Sequence, residues 1–174
     1  MAFVVEDGTG LSTATSFVSV AEADTYFSDR ASTAWAALDD TAKQAALVTA
    51  SEYVSTAFEY IGNKVQTAQA LAWPRVHIDP NGLFLTPIIT VPVAVKVATY
   101  RIAFEIAVNG VNMFASVSAS DLISRVKAGS VEVAFSDSAM HIANDGRPSF
   151  PWMRELLKGY SRGGSGMSTR LMRV

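Results

Sequence analysis

Residues that could do chemistry are few in this chain and widely spaced. The two histidines, His77 and His141, lie in turn-rich stretches and have neither the HxxH nor the HExxH spacing that puts two imidazoles on one helix face. The sequence contains no cysteine, which excludes thiolate metal sites, cysteine nucleophiles and disulfides. We therefore expect no metal site and interpret both histidines as turn or surface residues. An enzyme would need polar groups that converge on one of them.

Like the histidines, the carboxylate pairs and the glycine-rich segment do not indicate an active site. Glu6-Asp7 and Asp39-Asp40 are adjacent in sequence, so their side chains point apart on most backbones and suit capping or solvation better than acid–base chemistry. Gly8-Thr9-Gly10 lacks the third glycine of a dinucleotide-binding loop, and the sequence has no GxSxG elbow and no phosphate-binding P-loop. We predict a protein that is not an enzyme, with no catalytic residues and no cofactor.

The charges are distributed unevenly. The last 17 residues carry a formal charge of +4, because they contain Lys158, Arg162, Arg170 and Arg173 but no acidic residue. The formal net charge of the whole chain is −2, so residues 1–157 carry −6. A single-strand nucleic-acid binder interleaves basic and exposed aromatic residues along a groove. Here the aromatic residues lie in predicted helices among apolar neighbours. Because an acidic body repels phosphate, we do not expect tight, salt-resistant DNA binding.

The longest apolar stretch, residues 91–109, predicts a central helix. Pro92 suits the first helical turn, and Asn109-Gly110 supplies the left-handed residue that often ends a helix. The stretch is only marginally long enough to span a membrane, and its three charges are spread along its centre. We therefore interpret it as part of a globular domain and expect no membrane contact.

The central helix should have two apolar faces. At about 100° per residue, Lys96 and Thr99 share one side, while Arg101 and Glu105 share the roughly opposite side. These two polar strips separate two broad apolar surfaces. One surface should pack on the core of the domain, and the second needs a cover, which is either more of this chain or a neighbouring subunit.

Capping signals and turn residues predict the remaining elements. The Ser19–Glu22 capping box should start a helix that runs to about Ser28, Asp39 can cap a helix to about Tyr60, and Pro151 opens a short helix. Residues 124–135 predict a β-hairpin with Gly129-Ser130 at its tip. In that register Lys127 pairs with Glu132, and Val126 pairs with Val133.

These elements predict a mainly α fold: a small helical bundle around the central helix, with a β-hairpin and extended N- and C-terminal arms. We expect residues 1–158 to form a single domain and residues 159–174 to form a flexible basic tail, because glycine and serine there cannot build a packed core. The tail is either a frayed end or a segment that becomes ordered against a partner.

Four segments in this order resemble one protein family. They are VEDGTGL followed by SFVSVAEADTYF, then AWAALDDTAKQAAL, then QALAWPR with the later VPVAVKVA, and finally RVKAGSVEVAF. They resemble tailed-phage proteins labelled DnaT-like single-stranded DNA-binding proteins, whose fold and position among head genes resemble head-to-tail connector, or adaptor, subunits. The similarity runs from about Val4 to Leu157, and QALAWPR is its most specific element.

The resemblance implies a structural virion protein at the head–tail interface, assembled in the host cytoplasm. Such subunits form a homo-oligomeric ring, usually a dodecamer, under the portal protein and above downstream tail or head-completion proteins. DNA would pass through the channel without specific binding. The alternative implied by the family label is a single-stranded DNA-binding protein.

The resemblance and the residue pattern together suggest two sets of contact residues. The predicted portal-binding residues of the tail are Arg162, Met167, Arg170, Leu171, Met172, Arg173 and Val174. The predicted subunit contacts are Lys127, Glu132, Arg101 and Glu105. The tail would pay its ordering entropy on binding and recover it in contacts with the portal.

Overall fold

A computed structural model describes residues 2–78, 86–88, 90–114, 125–128, 131–134, 141–142 and 148–162. Its helices are α1 Val20–Ser28, α2 Thr33–Ala36, α3 Asp40–Thr56, α4 Val93–Ala107 and α5 Pro151–Leu157. Its strands are β1 Asn63–Lys64, β2 Arg75–Ile78, β3 Thr86–Ile88, β4 Arg125–Ala128, β5 Val131–Ala134, β6 His141–Ile142 and β7 Pro148–Ser149. The predicted mainly α fold is confirmed.

Helices α1 and α3 begin where their capping residues place them. The Ser19 hydroxyl accepts a hydrogen bond from the Glu22 backbone N–H, and the Glu22 carboxylate accepts one from the Ser19 N–H, so the capping box before α1 is complete. Asp39 caps α3 in the same way through the N–H of Ala42. The helix predicted to reach Tyr60 ends at Thr56.

The core is centred on the packing of α3 against α4. Leu47, Ala50 and Val54 of α3, together with Val95 and Ile102 of α4, are all fully buried. They recur at steps of three, four or seven residues, so each helix presents one continuous apolar row to the other. This row on α4 is the first of its two predicted apolar faces, and α3 covers it.

An ion pair between a buried lysine and a partly exposed aspartate connects α1, α2 and α3. Lys43 is 7% exposed, and its ammonium lies 2.9 Å from the Asp24 carboxylate. The same carboxylate oxygen accepts a hydrogen bond of 2.8 Å from the Trp35 indole N–H. Asp24 therefore provides a partner for both a buried ammonium and a buried indole N–H. Helix α2, which the sequence pattern did not predict, is held in place by the Trp35 side chain.

The segment before α1 is a closed loop, although an extended arm was expected. Its backbone is bridged between Val5 and Ser16. The Glu6 carboxylate is buried and accepts hydrogen bonds from the backbone N–H groups of Gly8, Gly10 and Leu11 at 2.8–3.0 Å. This carboxylate holds the loop closed, which is a structural role.

The QALAWPR segment is a structural corner in front of β2. Trp73 is fully buried and is joined to Pro74 by a cis peptide bond. Gln69 donates its side-chain amide to the carbonyls of Leu71 and Pro74. The Arg75 guanidinium donates to four backbone carbonyls, those of Tyr60, Ile61, Gly62 and Ala72. Its partial burial lowers the pKa of Arg75.

The strands form small antiparallel sheets. The order β1-β2-β3 gives one three-stranded sheet that the sequence pattern did not predict. The predicted β-hairpin is confirmed: β4 pairs with β5, with Lys127 opposite Glu132 and Val126 opposite Val133. The tip of this hairpin lies outside the described residues.

The chain remains attached to the domain beyond α5. Tyr60 and Ser161 form an antiparallel bridge, and the Arg162 N–H donates to the Glu59 carbonyl at 2.7 Å. The fixed part of the chain therefore reaches Arg162, four residues past the predicted boundary at 158. The division into a domain and a flexible tail stays a prediction, since residues 163–174 lie outside the described part.

Candidate functional site

An open groove of about 290 Å³ lies between α1, α4 and α5, and we call it the aromatic groove. Its walls are aromatic: Tyr26 and Phe27 come from the last turns of α1, Phe104 from α4 and Trp152 from the start of α5. Residues from three helices separated by up to 126 positions converge here, because α4 packs beside both α1 and α5.

The aromatic wall is fixed from behind by further rings. Tyr26 stacks on Tyr100 with ring centroids 4.6 Å apart, and Phe27 stacks on the buried Trp35 at 4.6 Å. Phe27 also contacts Phe104, with centroids 5.5 Å apart. Burial, followed by the nearby Glu22 and Tyr26, raises the pKa of Tyr100 to about 12. The aromatic part of the groove wall is therefore pre-formed by packing, and the Tyr100 ring behind it is uncharged at neutral pH.

Two arginines lie on the rings of the groove. The Arg30 guanidinium carbon is 3.7 Å from the centre of the Tyr26 ring, and Arg30 Nη1 donates to the Tyr26 carbonyl at 2.8 Å. Arg101 lies 5.3 Å from the centre of the Trp152 ring and donates from Nε to the Tyr26 hydroxyl at 3.2 Å. Both are cation–π arrangements that leave the guanidinium edges accessible.

The arginines have no acidic partner in the described part of the chain, where the ion pairs are Lys43–Asp24, Lys96–Glu22, Lys158–Glu155 and Arg162–Glu59. Glu105 also lines the groove, but its carboxylate accepts a hydrogen bond of 2.7 Å from the Asn109 amide. The groove therefore combines aromatic walls, two cations whose charge is not neutralised locally, and one acid at its rim.

This arrangement favours binding over catalysis. Flat rings and guanidinium groups can stack on a planar partner, pack against apolar side chains and pair with carboxylates or phosphates. Among the described residues no three His, Asp or Glu side chains come together as a metal site would require. That the protein is not an enzyme stays a prediction.

The acidic residues weighed in the sequence analysis have structural partners. Glu6 closes the N-terminal loop, and Asp39 caps α3. Asp7 is fully exposed and accepts hydrogen bonds from the Thr9 hydroxyl and N–H, which lower the pKa of Asp7. The interpretation of these residues as capping and solvated groups is confirmed for Asp39 and Asp7. The side chains of His77 and His141 lie outside the described part.

The structure brings together one pair of the predicted contact residues. Arg101 and Glu105, four residues apart on α4, both line the aromatic groove. Lys127 and Glu132 are paired in the backbone register of the hairpin, and their side chains are not described. A role for any of these four in subunit contact stays a prediction.

The predicted portal-binding residues are mostly outside the described part: Met167, Arg170, Leu171, Met172, Arg173 and Val174. The exception is Arg162, whose guanidinium lies 3.1 Å from the Glu59 carboxylate and whose side chain is 64% exposed. Arg162 is therefore part of the anchor between residues 160–162 and 59–61. A contact between Arg162 and the portal stays a prediction and would have to compete with Glu59.

Sequence reasoning missed Arg30 and Trp152 as members of a site. Tyr26 and Phe27 were interpreted as buried contacts, and Phe27 is indeed buried, but Tyr26 is half-buried and faces the groove. The four-residue spacing from Tyr26 to Arg30 is the local signal that could have suggested a stacked pair. No pattern assigned Trp152 a partner, and the buried residues of α5 are Met153 and Leu157.

The fold and the groove define a small, mainly helical protein with an open aromatic groove between three helices. The chain belongs to the family described as "Putative DnaT-like ssDNA binding protein", whose model matches residues 1–174. This finding confirms the family inferred from the four segments. No curated protein and no solved structure matches the chain.

The family description agrees with the alternative function, single-stranded DNA binding, better than with the connector function. It gives no support to a virion location or to a connector role. In the part of the chain that the structure describes, no helix is both long and apolar enough to cross a lipid bilayer.

Proposed function

We propose that the protein is a structural subunit that assembles with copies of itself, as a head-to-tail connector of a tailed phage would. The observation that supports this proposal is the second apolar face of α4. Val93 is 77% exposed, and Val97, Phe104 and Val108 on the same side of the helix are half-buried. We call this side the outer face of α4. A side so rich in apolar groups is stabilised when a partner removes it from water.

The charge distribution supports a structural role over tight nucleic-acid binding. Residues 1–157 carry a formal −6, while the four cations of the last 17 residues are separate from them. An acidic ring would repel passing DNA and so would not hold it during packaging or ejection. In this proposal the protein forms a ring under the portal, and residues 163–174 bind the portal.

Truncation after Arg162 tests the proposal. Because residues 160–162 are hydrogen-bonded to residues 59–61, the cut preserves the anchor and removes only the proposed portal-binding segment. The truncated protein should unfold at the same urea concentration as the full chain but should no longer be retained by immobilised portal protein. Full retention would rule out the portal role of the segment.

The control for this truncation keeps its length and changes its chemistry. A full-length variant with Arg170→Ser, Leu171→Ser, Met172→Ser and Arg173→Ser should lose portal binding as the truncation does. Substitution of Ser165, Ser168 and Thr169 by Ala should preserve binding, since these residues contribute neither charge nor large apolar groups.

The second candidate function is single-stranded DNA binding, and the family description favours it. The aromatic groove supplies a specific observation for it. Trp152 could stack on a base, while Arg30 and Arg101 contact the phosphates. Glu105 in the same groove and the acidic body oppose this function, because both repel phosphate.

A titration with fluorescent oligonucleotide at rising salt distinguishes the two candidates. Submicromolar binding that survives about 0.15 M salt, and that is lost in the Arg30→Ala, Arg101→Ala double variant, would establish DNA binding at the groove. The connector proposal predicts weak binding that disappears at that salt concentration and is unchanged by the double variant. Arg154→Ala, which removes a cation outside the groove, is the matched control.

A further inference from the structure

A second apolar surface of the molecule lies on α3. Ala45 and Val48 of α3, together with Phe3 of the N-terminal loop, line an open depression of about 370 Å³. Thr41, Ala45, Val48 and Glu52 follow one another at steps of three and four residues, so they form one row along the helix. We call this row, with Phe3, the outer face of α3.

The outer faces of α3 and α4 point in opposite directions. On α3 the buried row contains Leu47, Ala50 and Val54, which lie on the opposite side of the helix from Ala45 and Val48. The buried row of α4 likewise lies opposite to Val93 and its neighbours. Since the two helices pack through their buried rows, their outer faces lie on opposite sides of the molecule.

The two surfaces have complementary charges. On α3 the only basic residue is Lys43, which is buried on the inner side and paired with Asp24. Asp40 at the start of α3 and Glu52 on its outer row are both exposed. The aromatic groove beside the outer face of α4 instead presents two cations, Arg30 and Arg101, with no acidic ion-pair partner among the described residues, against one acid, Glu105, whose carboxylate accepts a hydrogen bond from Asn109. Apolar groups lie at the centre of both surfaces.

We infer that the aromatic groove and the outer face of α4 of one copy bind the outer face of α3 of the next copy. This inference rests on the proposed assembly function and specifies its contact surface. In this arrangement Arg101 faces Glu52, and Ala45 and Val48 of α3 cover Val93 and Phe104. The occupant is a second copy of this chain, identified by the exposed Glu52 and by the Ala45, Val48 and Phe3 side chains that line the depression beside it.

Such a contact joins two different surfaces, so it is heterologous. Every copy keeps one groove and one α3 face free until the next copy binds, and the assembly grows until it closes on itself. A contact of groove with groove would instead be two-fold and would stop at a dimer. The two arrangements differ in which residues of the two copies become neighbours.

Site-specific crosslinking uses the absence of native cysteine. Val48→Cys places a thiol on the outer face of α3, and Val93→Cys places one on the outer face of α4. We expect a short bismaleimide to crosslink the two single variants when they are mixed, and neither variant alone. The double variant should give a ladder of covalent multimers. Lys158→Cys, at an exposed position on neither surface, is the control and should crosslink with neither.

Charge reversal provides a second measurement on the same assembly. Arg101→Glu should lower the fraction of assembled protein at least tenfold by mass photometry, and Glu52→Arg in the same chain should restore it, because the two opposite charges have exchanged places. Lys158→Glu, which changes net charge equally, should have no effect. Unchanged assembly in Arg101→Glu, or absence of rescue by Glu52→Arg, would contradict the contact.

Failure of the inference and failure of the proposed function give different results. If the protein assembles, alone or with portal, but Val48→Cys and Val93→Cys do not crosslink, the contact surface is wrong and the assembly function stands. Crosslinking of Val93→Cys alone would replace the heterologous contact by a two-fold one. If the protein is monomeric at all concentrations, with and without portal, both the function and the inference are wrong.

Discussion

The two apolar faces of α4 differ in their neighbours more than in their composition. Val95, Ala98 and Ile102 on the inner face are fully buried against the core, whereas Val93 on the outer face is 77% exposed. Both faces carry β-branched apolar residues, Val95 and Ile102 on the inner face and Val93 and Val97 on the outer, so helical periodicity alone could not tell which one a monomer buries. The difference teaches that the side of α4 that α3 covers is the side that the monomer buries, and the outer face is the side that the proposed assembly would cover.

The largest expected effect comes from shortening a side chain on the inner face. Ile102→Ala should lower the free energy of unfolding by about 2–5 kcal/mol, because it removes buried methyl groups and leaves a cavity. Val93→Ala on the outer face should change it by less than about 0.5 kcal/mol. Urea unfolding of both variants as monomers measures the difference. Equal losses would mean that the outer face is also covered by the chain itself.

The same comparison can be made with arginines. Arg75 donates to four backbone carbonyls and is half-buried, so Arg75→Met should cost about 1–3 kcal/mol by leaving acceptors unpaired. Arg101 is exposed and contacts only rings and one hydroxyl, so Arg101→Met should cost about 1 kcal/mol or less. Thermal unfolding ranks the two. A larger loss for Arg101 would assign it a structural role.

The smallest expected effect concerns the Glu22–Lys96 ion pair, which is 2.6 Å long and lies between the two faces. Partial burial raises the pKa of Glu22, but the hydrogen bonds from Lys96 and Ser19 outweigh it, so the pKa of Glu22 lies below its ordinary value. The ion pair therefore stabilises the fold fully at pH values above the ordinary pKa of a glutamate. This stabilisation is lost as the pH falls through the lowered pKa of Glu22.

Lys96→Met should flatten this acid dependence. Because the pair is partly exposed and screened by solvent, the variant should lose about 1 kcal/mol or less at neutral pH, and the difference from the parent should vanish in acid. Urea unfolding along a pH series measures both values. Lys158→Met removes a weaker pair with Glu155, 3.9 Å apart and largely exposed, and should leave the pH profile unchanged.

Local signals predicted the elements that local forces determine. The capping box at Ser19, the Asp39 cap and the proline at the first helical position, Pro151, gave the starts of α1, α3 and α5, and the turn chemistry gave the hairpin register. The sheet β1-β2-β3 was missed, since its strands are only two to four residues long and too short to show an alternating pattern. The short helix α2 was missed because it is stabilised by contacts of Trp35 with Asp24 and Phe27 of α1, which its own four residues do not reveal.

The candidate site was only half predictable. Arg101 and Glu105 were recognised because helical spacing places them on one strip of α4. Arg30 and Trp152 were not, since their approach to that strip depends on how α1 and α5 pack on α4, which no local pattern encodes. The aromatic residues were therefore interpreted as core, and an open groove between three helices could not be inferred from the order of residues.

The bridge between Tyr60 and Ser161 fixes the point on the domain from which the C-terminal segment, residues 163–174, starts. The twelve residues after Arg162 in this sequence leave the domain from a fixed point, and a fully extended chain of that length spans at most about 40 Å. Any surface that binds their basic and apolar side chains must therefore lie within that distance of Arg162. In a closed ring, the identical C-terminal segments would start at equal spacing around one circle. A circular partner of matching symmetry could then be bound by many weak contacts at once.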